Sequence, residues 1–110
     1  MKLQDVLSSP DKWSQRGPAF TKDGVMVSVD SPDAVSFCLL GALSRKDTYA
    51  ATHDSVKTLY AIVKKRYNRG VIAFNDDSMT TFEEVLSVAR EFDSVMEEKR
   101  NGTKDKDGSL

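Results

Sequence analysis

The chain contains one cysteine, Cys38, and one histidine, His53, and these are the first residues to weigh for chemistry. A thiolate beside an imidazole base makes a nucleophile. Cys38, however, falls within the apolar run Val35-Ser-Phe-Cys-Leu-Leu-Gly-Ala-Leu43, where a thiol behaves as a small hydrophobe with a raised pKa. His53 stands in a polar stretch before a helical pattern, an ordinary place for an exposed imidazole. The pair is read as structural, and no catalytic residue is assigned. One histidine and one cysteine also fall short of any zinc-binding spacing. Asn75, Asp76 and Asp77 offer oxygen donors that a hard cation such as Mg²⁺ accepts. The preferred reading of Asn-Asp is a turn whose side chains bond nearby backbone, so neither a metal nor another cofactor is expected. The six glycines are scattered, and none forms a phosphate-binding loop.

Binding rather than catalysis is the chemistry that the remaining residues favour. Lys57, Lys64, Lys65, Arg66 and Arg69, with Tyr67 among them, form a basic stretch that could meet phosphates. Residues 44–70 hold seven Lys/Arg against two acids, net +5, whereas 71–98 hold eight acids against one arginine, net −7. Such a split can steer a charged partner or pair two copies head to tail, although solvated helix faces explain it equally simply and are preferred. The whole chain carries a net charge of −1 with a pI near 5.8 and no nucleic-acid recognition motif, so nucleic acid is not the expected partner. Trp13, with Gln15, Arg16 and Gly17, is either a lid on the core or the kind of aromatic-arginine pair that anchors interfaces and stacks on rings. The candidate binding residues are therefore Trp13, Gln15, Arg16, Lys64, Lys65, Arg66, Asn75 and Asp76.

Elements must position these residues. Leu3, Val6 and Leu7 have helical spacing, ended by Ser8-Ser9-Pro10. In Phe20–Val29 the Asp23-Gly24 pair predicts a tight hairpin turn, and alternating Val25, Val27 and Val29 predict a strand whose valine face packs on helices. Ser31 as N-cap, Pro32 at the first helical position and Asp33 at the positive dipole end predict a core helix from Pro32 to Leu43. Val35, Cys38, Leu39 and Ala42 would form its buried face. Arg45, Lys46 and Asp47 make a polar connection. A helix follows over 54–68, with Val56, Leu59, Tyr60, Val63 and Tyr67 on one face and Gly70 as its left-handed stop. Val71-Ile-Ala-Phe74 fits either a buried extended link or one helical turn. Thr81-Phe-Glu-Glu84 is a capping box, and Val85, Val88, Ala89, Phe92, Val95 and Met96 continue as an apolar stripe to a stop near Arg100.

The bounds are those of an ordinary globular chain: 110 residues, 39% apolar and 30% charged. One domain over residues 1–100 is expected, followed by a disordered charged tail over 101–110. The first residues hold no long apolar run, and no stretch reaches the roughly 20 apolar residues of a membrane span, so a cytoplasmic location is the default.

Trp13-Ser-Gln-Arg-Gly17, Asp33-Ala-Val-Ser-Phe-Cys-Leu-Leu-Gly-Ala42, Ile72-Ala-Phe-Asn-Asp76 and Thr81-Phe-Glu-Glu-Val85 together resemble a domain-of-unknown-function family of short bacterial and phage proteins. The resemblance covers about residues 3–96. Phe37 and Phe74 stand where that family has tryptophan, both volume-tolerant exchanges. The resemblance implies a cytosolic accessory protein, in host cytoplasm if phage-encoded, and a shared set of Trp13, Gln15, Gly17, Asp33, Cys38, Gly41, Asn75 and Asp76. As a structural set, Gly41 would let two helices approach while Asn75 and Asp76 pin a loop. As a functional set, Trp13, Gln15, Asn75 and Asp76 would line a polar-aromatic pocket beside the core helix.

The fold expected is α+β and mainly helical, with three to four helices packed on one small β-hairpin. Ser31, Asp33, Cys38, Gly41, Thr81 and Glu84 are assigned structural roles. The function expected is that of a non-enzymatic binding module engaging a protein partner, a host protein or a second copy. The alternative is a module that binds or sequesters a small nucleotide-like ligand, ahead of a nucleic-acid binder or a cysteine hydrolase.

Overall fold

The computed structural model describes residues 1–45, 48 and 52–109, of which 101–109 are described by backbone alone. Its architecture is α+β and mainly helical: α1 (Leu3–Val6), a 3-10 turn (Pro10–Lys12), β1 (Ala19–Phe20), β2 (Ser36–Phe37), α2 (Leu39–Leu43), α3 (His53–Tyr67), α4 (Val71–Asp76) and α5 (Phe82–Ser109). The strands form one antiparallel pair, with Ala19 opposite Phe37 and Phe20 opposite Ser36. The core joins Leu3 and Leu7, Phe37 and Leu39, Leu59 and Val63, Phe74, and Val85, Val88 and Phe92, so every helix contributes to one apolar interior.

α5 starts where the capping box places it. The Thr81 N–H donates to Glu84 Oε1 at 2.9 Å, and the Glu84 N–H donates to Thr81 Oγ1 at 3.2 Å. Val85, Val88, Ala89 and Phe92 are buried, with Val95 and Met96 packed partly against them. The backbone runs helical past the stop expected near Arg100, and the charged tail expected at 101–110 lies outside the residues described with side chains. Lys46 and Asp47 of the polar connection are likewise outside the described residues. α3 is buried along Leu59, Ile62 and Val63, while Tyr60, expected on that face, is turned to solvent. The left-handed stop after α3 is Asn68, at φ +56°, and not Gly70, which is extended and begins α4. Asn reaches this conformation because its short polar side chain can bond locally. The Val71–Phe74 run proves to be helical.

Residues 31–43 correct the expected core helix. Ser31 Oγ accepts the Asp33 N–H at 3.2 Å, so the Ser-Pro-Asp signature closes a turn and starts no helix. Val35 is exposed, Ser36 and Phe37 form β2, and helix begins only at Leu39. Tertiary pairing overrides local helix signals here: Phe37 is buried opposite Ala19, and its carbonyl accepts the Ser14 N–H at 3.0 Å. The turn at Asp23-Gly24 is present, with Gly24 at φ +84° and Phe20 bridging Met26. The strand partner of Phe20 is nevertheless Ser36, and Val25 is exposed while Val27 and Val29 pack partly on the core.

Gly41 is the tightest packing point. A Cβ there would collide with the carbonyl of Pro18, a backbone atom that cannot swing away. The close approach is thus between α2 and the segment entering β1, where two helices were expected. Gly41→Ala should lower stability by about 1–3 kcal/mol through overpacking, read as a shift in the denaturant midpoint with unchanged slope.

Candidate functional site

α4 carries the centre of the site. Asn75 is only 2% exposed, and its amide makes all four hydrogen bonds open to it. Oδ1 accepts from Trp13 Nε1 at 2.9 Å and from the Leu39 N–H at 3.0 Å. Nδ2 donates to the Ser14 carbonyl at 3.1 Å and to Asp76 Oδ1 at 2.9 Å. One side chain therefore ties the 13–16 segment, the start of α2 and the end of α4 together. Gln15 adds to this, its Nε2 donating to the carbonyls of Asn75 and Asp77 at 2.9 Å each, two groups freed by the end of the helix. The Arg16 N–H donates to Asp76 Oδ1 at 2.8 Å, with Arg16 itself held left-handed at φ +68°. Asn75 and Asp76 were expected in a turn bonding its own backbone; they sit in α4 and bond the 14–16 segment, some 60 residues away in sequence.

Asp77 closes the other end. Its carboxylate accepts the Met79 N–H at 2.8 Å and pairs with Arg69. The Met79 N–H first, and the Arg69 side chain second, hold the Asp77 carboxyl below its ordinary range. Because the folded pKa is the lower one, the stabilisation is present above the ordinary range and disappears as pH falls through the folded value. The melting-temperature difference between wild type and Asp77→Asn should accordingly shrink steadily as pH is lowered, a trend that thermal melts across an acid series would read.

Beside this network lies a groove of about 760 Å³. Its walls are Pro18, Val29, Leu40, Gly41, Val71 and Ile72, and its polar groups include Arg16, Cys38, Asn75 and Asp76. Arg16 and Asp76 thus present opposite charges at one apolar cavity. Trp13 and Gln15 do not line it; they are hydrogen-bonded to Asn75, which does. Cys38 stands at the N-terminus of α2, where its Sγ accepts the Gly41 N–H at 3.2 Å, and is not the mid-helix core residue the periodicity predicts. Burial pushes its thiol above the ordinary value, outweighing the Gly41 and Leu40 N–H groups that pull it down. His53 opens α3 in an exposed position, and no hydrogen bond joins it to Cys38 among the described residues. No three His, Cys, Asp or Glu side chains converge among the described residues.

The basic residues lie elsewhere. Lys64, Lys65 and Arg66 are exposed on the last turn of α3. Arg66 reaches α5, donating to Glu91 at 3.3 Å and to Ser87 at 2.8 Å, and Lys99 of α5 reaches back to Asp54 and Thr58. Part of the charge split is therefore spent between two packed helices, where such exposed pairs contribute little each.

Asp93 has no place in the sequence-based reading. It is 1% exposed, and its carboxylate accepts the N–H groups of Leu3 and Gln4 and the Gln4 side-chain amide, each at 2.9 Å. The available signal was positional: Asp93 falls four residues after Ala89 and three before Met96, on the apolar stripe of α5. An acid on that stripe must find donors in the core.

Among the described residues no helix is long and apolar enough to cross a membrane. A family model described as a family of unknown function, DUF6197, matches residues 2–92. No match was found among curated proteins, and none among solved structures.

Proposed function

The chain belongs to DUF6197, a family of unknown function, and from the geometry of its own site we propose that it is a non-enzymatic module binding a small amphiphilic ligand in the groove between α2 and α4. The groove carries this reading. Its volume of about 760 Å³ lies within the range of small-molecule sites, its walls are mainly apolar, and a few polar groups stand at fixed positions. The Asn75 network supplies the fixing, since a fully bonded buried amide allows the 13–16 segment and α4 little relative movement. Catalysis has less support, because burial pushes the one thiol above its ordinary value and no hydrogen bond joins it to the one histidine among the described residues.

Native mass spectrometry on protein purified gently from its own cells tests the reading, beside Leu40→Trp, which fills the groove. A retained mass of a few hundred daltons, present in wild type and absent from folded Leu40→Trp, is the expected result. Bare masses for both, with an environment-sensitive dye binding the two equally, would overturn it.

A second reading, an accessory role in which a host protein is engaged, draws on one observation. Val25, Met26 and Val35 are all exposed, and two of them meet the Phe20 backbone, through the Phe20–Met26 bridge and the Val35 N–H bonded to the Phe20 carbonyl. Small scattered apolar residues need no partner, but a contiguous apolar patch invites one. If this patch instead joins two copies, light scattering should give a dimer that Val25→Asp with Val35→Asp converts to monomer.

A further inference from the structure

We propose that the groove selects a zwitterionic ligand: a small molecule with an apolar body and adjacent ammonium and carboxylate groups, of which a large apolar α-amino acid is the simplest. This inference rests on the ligand-binding reading above. Arg16 and Asp76 both line the cavity, and they are tied at the backbone by the 2.8 Å bond from the Arg16 N–H to Asp76 Oδ1. Asp76 Oδ1 is fully used, accepting from Arg16 and from Asn75 Nδ2, whereas Oδ2 accepts no bond among the described residues. The Arg16 guanidinium likewise has no side-chain partner among the described residues, and the residue is exposed at the mouth. One unspent anionic oxygen and one unspent cation thus border the same apolar walls of Leu40, Val71 and Ile72.

Charge balance then decides the class. A simple carboxylate would gain Arg16 but lie near Asp76, and a simple amine would gain Asp76 but lie near Arg16. In each case the like charge costs part of what the opposite charge contributes, and a site discriminates by that difference. A ligand carrying both charges meets a partner for each: its ammonium donates to Asp76 Oδ2, and its carboxylate accepts from the Arg16 guanidinium. Its apolar body fills the groove, where burial supplies the non-directional part of the affinity. The pinned backbone keeps the root of the Arg16 side chain beside the Asp76 carboxylate, so both charges are offered at the same edge of the groove.

Isothermal titration with four probes that share one phenyl group tests this: L-phenylalanine, phenylpropionate, phenylethylamine and neutral N-acetylphenylalaninamide. Phenylalanine should bind at least about tenfold more tightly than each of the others, the scale of one lost charged contact. Arg16→Asn, which tolerates the left-handed backbone, should reduce phenylalanine to the affinity of phenylethylamine. Asp76→Asn, whose amide oxygen still accepts the Arg16 N–H, should reduce it to that of phenylpropionate. Should either variant fail to fold, the ranking of the four probes on wild type decides alone. Equal binding of any single-charge or neutral probe would overturn the inference, as would binding of none. In that last case a mass retained by wild type and lost in Leu40→Trp would leave the groove reading standing and remove only the ligand class.

Discussion

Asn75→Ala is expected to cost about 4 kcal/mol of stability, from one buried and two half-buried groups left without partners at about 1–3 kcal/mol each. Those groups are Trp13 Nε1–H, the Leu39 N–H and the Ser14 carbonyl. A loss of this size is a large share of the roughly 5–15 kcal/mol that holds a domain folded. The position tolerates little else. In Asn75→Asp one oxygen could still serve Trp13 and Leu39, but the other would face the Ser14 carbonyl and the Asp76 carboxylate, where an amide now donates. The two variants should therefore be similarly destabilised, although Asn75→Asp keeps the shape. Trp13 is the only tryptophan, so its fluorescence reports the site directly. Urea titrations followed at Trp13 should show both midpoints falling; an unchanged midpoint in Asn75→Ala would mean that water replaces the amide and that the segment is not pinned from this residue.

Asp93→Ala is expected to be comparably severe, about 3–5 kcal/mol, because hydrogen bonds to a charged group are stronger and the donors left behind are buried. The loss falls on α1. Four residues cannot sustain a helix alone, and the first N–H groups of α1 are bonded to Asp93. Leu3 and Leu7 are fully buried against the same core, so release of α1 also exposes apolar surface. Asp93→Asn should recover part of the loss, since one amide oxygen can still accept while the NH₂ faces donors. Hydrogen exchange at Leu3 and Gln4 measures this locally. Their amides should lose protection in Asp93→Ala, with α5 still protected near Val88; protected Leu3 and Gln4 amides would show that α1 is held by packing alone.

How far each element was legible depends on how local its cause is. The Thr81–Glu84 capping box and the apolar stripe behind it lie within single turns of α5, and both stand as the pattern predicts. The same holds for the tight turn at Gly24, where one residue with positive φ suffices. At Ser31-Pro-Asp33 the local signal was just as clear and did not prevail. A helix there would have removed Ser36 and Phe37 from their pairing with Ala19 and Phe20, and the buried Phe37 outweighs an N-cap worth about 1 kcal/mol. Hence Cys38, placed by periodicity on a helix face, instead caps the helix that begins after it.

By itself the sequence determined the helical character of the chain, the start of α5 and its apolar stripe, while the resemblance to a family implied a set that includes Trp13, Gln15, Asn75 and Asp76. Periodicity and capping act over three or four residues, and chain order carries them. Only the tertiary structure decided that Asn75 bonds Trp13 and Ser14, that Gly41 meets Pro18, that Asp93 receives the chain's first helix, and that Arg16 and Asp76 share one groove. Each of these joins groups that are distant along the chain. A polar side chain announces that it needs partners if buried, but which partners it finds is settled by how the elements pack.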